Sequence, residues 1–148
     1  GVRHNPDTTT PAGFKQSIEV AAAAGGGLYP CGTAGPALIR LAWDDFTTGP
    51  STSPIQVRAA YVLLSVPGQS QLALHRVVCA GSASVVSDTV LAHDVVSASV
   101  GCPSTTATCG QSGAALPLTV SLTLTIHDSN SGSAVNYVVV LTGQRRQT

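Results

Sequence analysis

Residues 116–144, LPLTVSLTLTIHDSNSGSAVNYVVVLTGQ, alternate between aliphatic and hydroxyl side chains on both sides of a polar segment. Because successive side chains of a β-strand point to opposite faces, this period of two predicts strands with one aliphatic face. The polar segment, Asp128 to Ser133, consists of residues that tolerate the backbone of a turn, so the stretch predicts a β-hairpin. The predicted core-facing residues are Leu116, Leu118, Val120, Leu122, Leu124, Ile126, Val135, Tyr137, Val139 and Leu141, and the hydroxyl face is Thr119, Ser121, Thr123 and Thr125.

The composition indicates a neutral protein that is suited to association. Seven basic and seven acidic residues cancel, and charged residues make up 9% of the 148 residues, where about a quarter is usual. Without a net charge or a basic cluster beyond Arg145–Arg146, binding to nucleic acid or to an anionic membrane is disfavoured. A surface rich in Ser, Thr and Gly has little electrostatic protection against association, which favours a subunit of an assembly.

The chain is predicted to form one domain. Residues 1–13 are polar and contain two prolines, which predicts an extended connector, and residues 14–148 are predicted to form a single β-rich domain. No Met is present, so we expect that a preceding segment was removed. The longest apolar runs are far shorter than the roughly 18 residues that cross a bilayer, so no membrane span is predicted.

An antiparallel sheet of about six or seven strands is the predicted fold. Strand patterns with Pro-Gly or polar turns between them follow one another without the helical segments that a parallel sheet requires. Residues 14–32 remain ambiguous, since their alanines and glycines are compatible with either a short N-terminal helix or a strand. Residues 84–100 predict one or two short strands, and Trp43, the only tryptophan, is predicted to anchor the core.

Four cysteines, Cys31, Cys79, Cys102 and Cys109, indicate disulfides formed in an oxidising compartment. Their even number, without metal-ligand spacing, argues against a zinc or redox site. Three pairings are possible. The short polar loop between Cys102 and Cys109 favours that pair, which leaves Cys31 for Cys79, and four free buried thiols are the alternative.

No catalytic, cofactor-binding or metal-binding residues are predicted, and the chain is not expected to be an enzyme. His93–Asp94 and His127–Asp128 are adjacent in strands, so each carboxylate is poorly placed to orient its imidazole. Asp44–Asp45 is interpreted as a solvated turn at the start of a loop. The segment from Asp128 lacks the distal Glu of a calcium loop and is interpreted as a turn.

The order of strands resembles the C-terminal heads of the type IV pilin superfamily, in particular actinobacterial minor pilins and type II secretion pseudopilins. The resemblance covers residues 37–148 and rests on the segments LIRLAWDD, RAAYVLL, LALHRVVC, TVLAHDVVSASVGC, LTVSLTLTIHD and VVLTGQRRQT. Full-length members are α+β proteins with an N-terminal hydrophobic helix. Here Lys15, Gln16 and Ser17 replace the apolar run that follows Gly-Phe in the family, so neither the helix nor a cleavage site is carried over.

The resemblance implies a structural role at the cell surface. A pilin-like head would be extracellular, would pack against other pilin or pseudopilin subunits, and would bind an extracellular protein or DNA at a filament tip. The alternative is a free-standing secreted β-sandwich module that binds a carbohydrate or a protein. A secreted hydrolase is the least favoured hypothesis, because no nucleophile, base and orienting group can be named together.

Overall fold

The computed structural model describes residues 18–22, 27–32, 35–46, 54–102, 119–128 and 135–144. These residues form one antiparallel sheet, in which the strands are ordered as in the chain. The predicted mainly β, antiparallel fold is therefore confirmed. The strands are β1 (Ile18–Ala22), β2 (Ala37–Asp45), β3 (Ile55–Ser65), β4 (Leu72–Ala80), β5 (Val85–Gly101), β6 (Thr119–His127) and β7 (Asn136–Gln144).

A tight turn joins β3 to β4 where the sequence predicts one. Between β3 and β4, Gln69 donates its backbone N–H to the Val66 carbonyl at 3.1 Å, and Gly68 has a φ of 80°. Proline followed by a glycine with positive φ is the signature of a type II turn. Residues 129–134 of the predicted β6–β7 turn lie outside the described residues, and next to them the Asp128 N–H donates to the Val135 carbonyl at 2.9 Å.

Strand β5 is one strand of 17 residues, so the prediction of one or two short strands underestimated its length. Its first part, from Val85 to Val95, pairs with β4, and its second part, from Val95 onward, pairs with β6, so Val95 has a partner on both sides. Asp94, next to Val95, has a φ of 56°, and the register shifts on either side of it. Such an irregularity bends a strand, which allows β5 to serve two parts of a curled sheet.

The sheet curls into a half-barrel, and the main core lies on its inner face. Strands β2 and β5 contact each other although two strands separate them in the sheet, so the sheet curls around their shared face. Four of the predicted core residues lie there, whereas Leu116 and Leu118 fall outside the described residues. The buried inner-face residues are Ile18, Ile39, Leu74, Val95, Val120, Leu122, Leu124 and Ile126.

A second, smaller core lies on the outer face of β2, β3 and β4. Ala37, Ala60, Val62 and Val77 are buried there together with the disulfide Cys31–Cys79. Residues 27–32 carry Cys31 to this face. The disulfide therefore attaches a connecting segment to the sheet and gives the outer face of these strands an apolar cover.

Three local predictions are corrected or resolved by the structure. Residues 18–22 of the ambiguous segment form strand β1, not a helix. Asp44 and Asp45 end β2, because the strand continues two residues past Trp43. Trp43 is only half-buried and belongs to neither core, since it lies near the end of β2, beyond Leu41, which packs against the inner core.

Candidate interaction surface

Two histidines contact a polar side chain on the neighbouring strand. His127 Nδ1 lies 3.4 Å from Asn136 Oδ1 on the next strand. One His–Asp contact was not predicted from the sequence: His75 Nδ1 lies 2.8 Å from Asp88 Oδ1. These residues are thirteen positions apart and meet diagonally across β4 and β5, so only the strand register reveals the contact.

No described group of three His, Cys, Asp or Glu side chains is placed to hold a metal ion. Likewise, the described ranges contain no helix that is both long and apolar enough to cross a membrane. Cys31 and Cys79 form the predicted disulfide. Cys102 is also disulfide-bonded, and Cys109, its predicted partner, lies outside the described residues.

The outer face of the second half of the sheet is a neutral surface, which we call the hydroxyl surface. The β6 residues Thr119, Ser121, Thr123 and Thr125 form its centre, because they alternate with the buried inner-face residues. Ser97 and Ser99 of β5 lie directly opposite Thr125 and Thr123. On the other side lie Val138, Val140 and Thr142 of β7. No charged side chain occurs among these residues.

Strand β7 forms one edge of the sheet and is unusually apolar for an edge strand. It pairs with β6 and with no other described strand. On its outer face Val138 and Val140 are 62% and 58% exposed, and on its inner face Tyr137 and Leu141 are about half exposed. Of the predicted core-facing residues in this half of the hairpin, only Val139 packs against the core. The alternation of side chains continues in β7, but no described strand lies beyond this edge to bury the inner-face residues.

The first half of β5 is a second exposed region. Val86 is 64% exposed, and Val90 and Leu91 are also exposed. Because β6 pairs only with residues from Val95 onward, no described strand lies on the far side of this half. It differs from β7 by carrying a carboxylate, Asp88, within the strand.

A buried ionic group anchors residues 27–32 to the outer face. Arg40 is 1% exposed and its Nη1 lies 3.5 Å from Glu19 Oε2. The other Glu19 oxygen accepts the backbone N–H of Leu28 at 3.0 Å, and Arg58 Nη1 donates to the Pro30 carbonyl at 3.2 Å. These contacts link β1, β2 and β3 to the covering segment. They attach that segment to the sheet.

Burial and charge raise the pKa of Tyr29, which belongs to the same segment. Loss of hydration on burial is the largest cause, and the nearby carboxylates of Glu19 and Asp44 also disfavour the phenolate. The Arg58 guanidinium acts in the opposite direction. Neither the buried Arg40–Glu19 pair nor the environment of Tyr29 was predicted from the sequence. The one available signal was Arg40, a charge placed inside the apolar segment ALIRLAW.

Comparison with protein-family models, with curated proteins and with solved structures finds no match for this chain.

Proposed function

We propose that this chain is a non-enzymatic structural subunit, the pilin-like or pseudopilin-like head of an extracellular filament of the type IV pilus or type II secretion class. The observation that carries the proposal is the hydroxyl surface and its continuation onto the exposed valines of β7. These residues lie on one face of three adjacent strands, as the register of β5, β6 and β7 requires.

A surface of this composition is suited to close packing against a neighbouring subunit. Hydroxyl groups can exchange hydrogen bonds with water for hydrogen bonds with a partner, whereas burying an unpaired charge costs several kcal/mol or more. Val138 and Val140 supply apolar area next to the hydroxyl groups. The resemblance to pilin heads in strand order provides the second, independent support.

The disulfide Cys31–Cys79 is consistent with an extracellular location. Its cysteines are separated by 48 residues and both are buried. Disulfides of this kind persist in oxidising compartments and are rare in the cytosol. The cross-link would also make the sheet more resistant to unfolding.

Thr123→Lys tests whether the hydroxyl surface is a subunit contact. Thr123 lies at the centre of that surface, opposite Ser99 on one side and Val140 on the other. In cells that produce the filaments, we expect the tagged variant to be incorporated at least about tenfold less than wild type, because a buried charge is costly. Ser87→Lys is the matched control, since it adds the same charge at an exposed position of β5.

Circular dichroism and urea unfolding must first show that both variants fold as wild type does. Incorporation of Thr123→Lys at the wild-type level would contradict the proposal. Absence of wild-type protein from sheared filaments, together with retention on a carbohydrate or protein matrix, would instead favour the secreted binding module. The complete gene offers a further test, because a pilin-like protein requires a short basic leader followed by about 20 apolar residues.

A further inference from the structure

We infer that two copies of this chain associate through β7, with the two β7 strands paired antiparallel across a twofold axis so that both half-barrels share one sheet. The inference is independent of the proposed filament role, because a free secreted module with the same edge would associate in the same way. It rests on the exposure, the charge and the self-complementary order of the residues in β7.

The choice of β7 follows from a comparison of the edges that the described strands present. β1 has five residues and carries Glu19, and the first half of β5 carries Asp88. Charged residues on an edge are a common means of preventing edge-to-edge pairing. β7 has nine residues, none of them charged or proline, and its outward-facing backbone has no described strand beside it.

The order of residues in β7 makes the strand complementary to a reversed copy of itself. In a twofold antiparallel pair centred on Val140, all nine residues find a partner. No pair joins like charges or places a charge against an apolar side chain. The pairs are Val140 with Val140 of the second copy, Val139 with Leu141, Val138 with Thr142, Tyr137 with Gly143, and Asn136 with Gln144.

Each face of the joined sheet gains apolar contacts from this register. On the inner face, Val139, which already packs against the core, would meet Leu141 of the second copy. The Tyr137 ring, now 50% exposed, would cover Gly143, an arrangement in which an aromatic residue compensates for a missing side chain. On the outer face the two Val140 side chains would meet at the axis and remove each other's exposed surface from water.

Disulfide trapping tests both the contact and its register. Directly opposed residues of an antiparallel pair have Cα atoms about 4.5 to 5.5 Å apart, which is within disulfide range. We expect Val140→Cys to form a covalent dimer on mild oxidation. Val138→Cys alone should not do so, whereas an equimolar mixture of Val138→Cys and Thr142→Cys should. Equal cross-linking of Val140→Cys and Val138→Cys alone, or no cross-linking of Val140→Cys, would overturn the inference.

Sedimentation provides a readout that does not depend on new thiols. Wild-type protein should form dimers, and Val140→Lys should weaken dimerisation by about tenfold or more, because two ammonium groups would face each other across the axis. The fold should be retained, since Val140 is an exposed edge residue. Val86→Lys, on the exposed half of β5, is the control and should leave the dimer unchanged.

Three outcomes of sedimentation would refute the β7 pairing. Wild-type protein could remain monomeric up to about 100 μM, where a specific dimer should be populated. Val140→Lys could leave dimerisation unchanged, which would place the interface elsewhere. Val86→Lys could weaken dimerisation as much as Val140→Lys, which would show that the association has no preference for β7.

Discussion

Removing the disulfide Cys31–Cys79 should destabilise the folded protein without removing any strand. The bridge closes a loop with a sequence separation of 48 residues that contains β2 and β3 entirely. The chain-entropy relation for a loop of this length gives about 4 kcal/mol at 25 °C. Measured values for such bridges are commonly about 2 to 4 kcal/mol, so we expect a loss within this range.

The packing of the bridge adds a second, smaller contribution. Cys79 is fully buried and Cys31 is 5% exposed, so each sulfur fills space in the outer-face core. Replacing both by alanine therefore leaves a small void in addition to losing the cross-link.

For a domain of about 150 residues, a loss of 4 kcal/mol corresponds to a decrease in Tm of roughly 8 to 16 °C.

A double-mutant cycle separates the two contributions. Cys31→Ala, Cys79→Ala and the double variant all lose the same cross-link. The free energy of unfolding should therefore fall by a similar amount in all three, and the decrease in the double variant should be much smaller than the sum of the two single decreases. Urea unfolding followed by the fluorescence of Trp43, the only tryptophan, gives the free energies of unfolding. If the double variant lost the sum of the two single losses, or less than about 1 kcal/mol in all, the assigned role of the bridge would be refuted.

Two further predictions concern the segment that this bridge holds against the sheet, the second with the β3–β4 turn as its reference. Burial raises the pKa of Tyr29. Above about pH 10 the unfolded chain therefore releases the phenol proton while the folded chain keeps it. The free energy of unfolding falls as the pH rises, until the pH passes the pKa of the folded state. Tyr29→Phe should flatten that alkaline loss of stability in urea titrations, and an unchanged slope would contradict the assignment. Gly68→Ala should cost about 1 kcal/mol, because φ is 80° and the space around it is open. Gly27→Ala should cost more in the same assay, since its Cβ would also collide with the Glu19 carboxylate; equal losses would argue against that contact.

Much of the secondary structure was predictable because its determinants are local. The period of two in β6 identifies Val120, Leu122, Leu124 and Ile126 as buried, and all four are. Pro67–Gly68 identifies a turn because proline presets one backbone angle and glycine permits a positive φ at the next residue. These features depend only on neighbouring residues in the chain.

The features that were missed depend on contacts between distant residues. In β7 the alternation predicted burial of Tyr137 and Leu141, but their burial needs an eighth strand beyond the edge. Arg40 is buried beside Glu19 of another strand, and Glu19 in turn binds Leu28 of the covering segment. The contact of His75 with Asp88 requires the register of β4 and β5.

The sequence by itself determined that this protein is an antiparallel β-sheet protein with little charge and with Cys31 and Cys79 available for a disulfide. Backbone period, turn chemistry and composition are properties of the chain before it folds. Only the tertiary structure decided which neutral residues remain exposed, because exposure depends on where the sheet ends and how it curls. The candidate interaction surface consists of the hydroxyl surface and the edge of β7. It exists because β7 is the last described strand of one curled sheet.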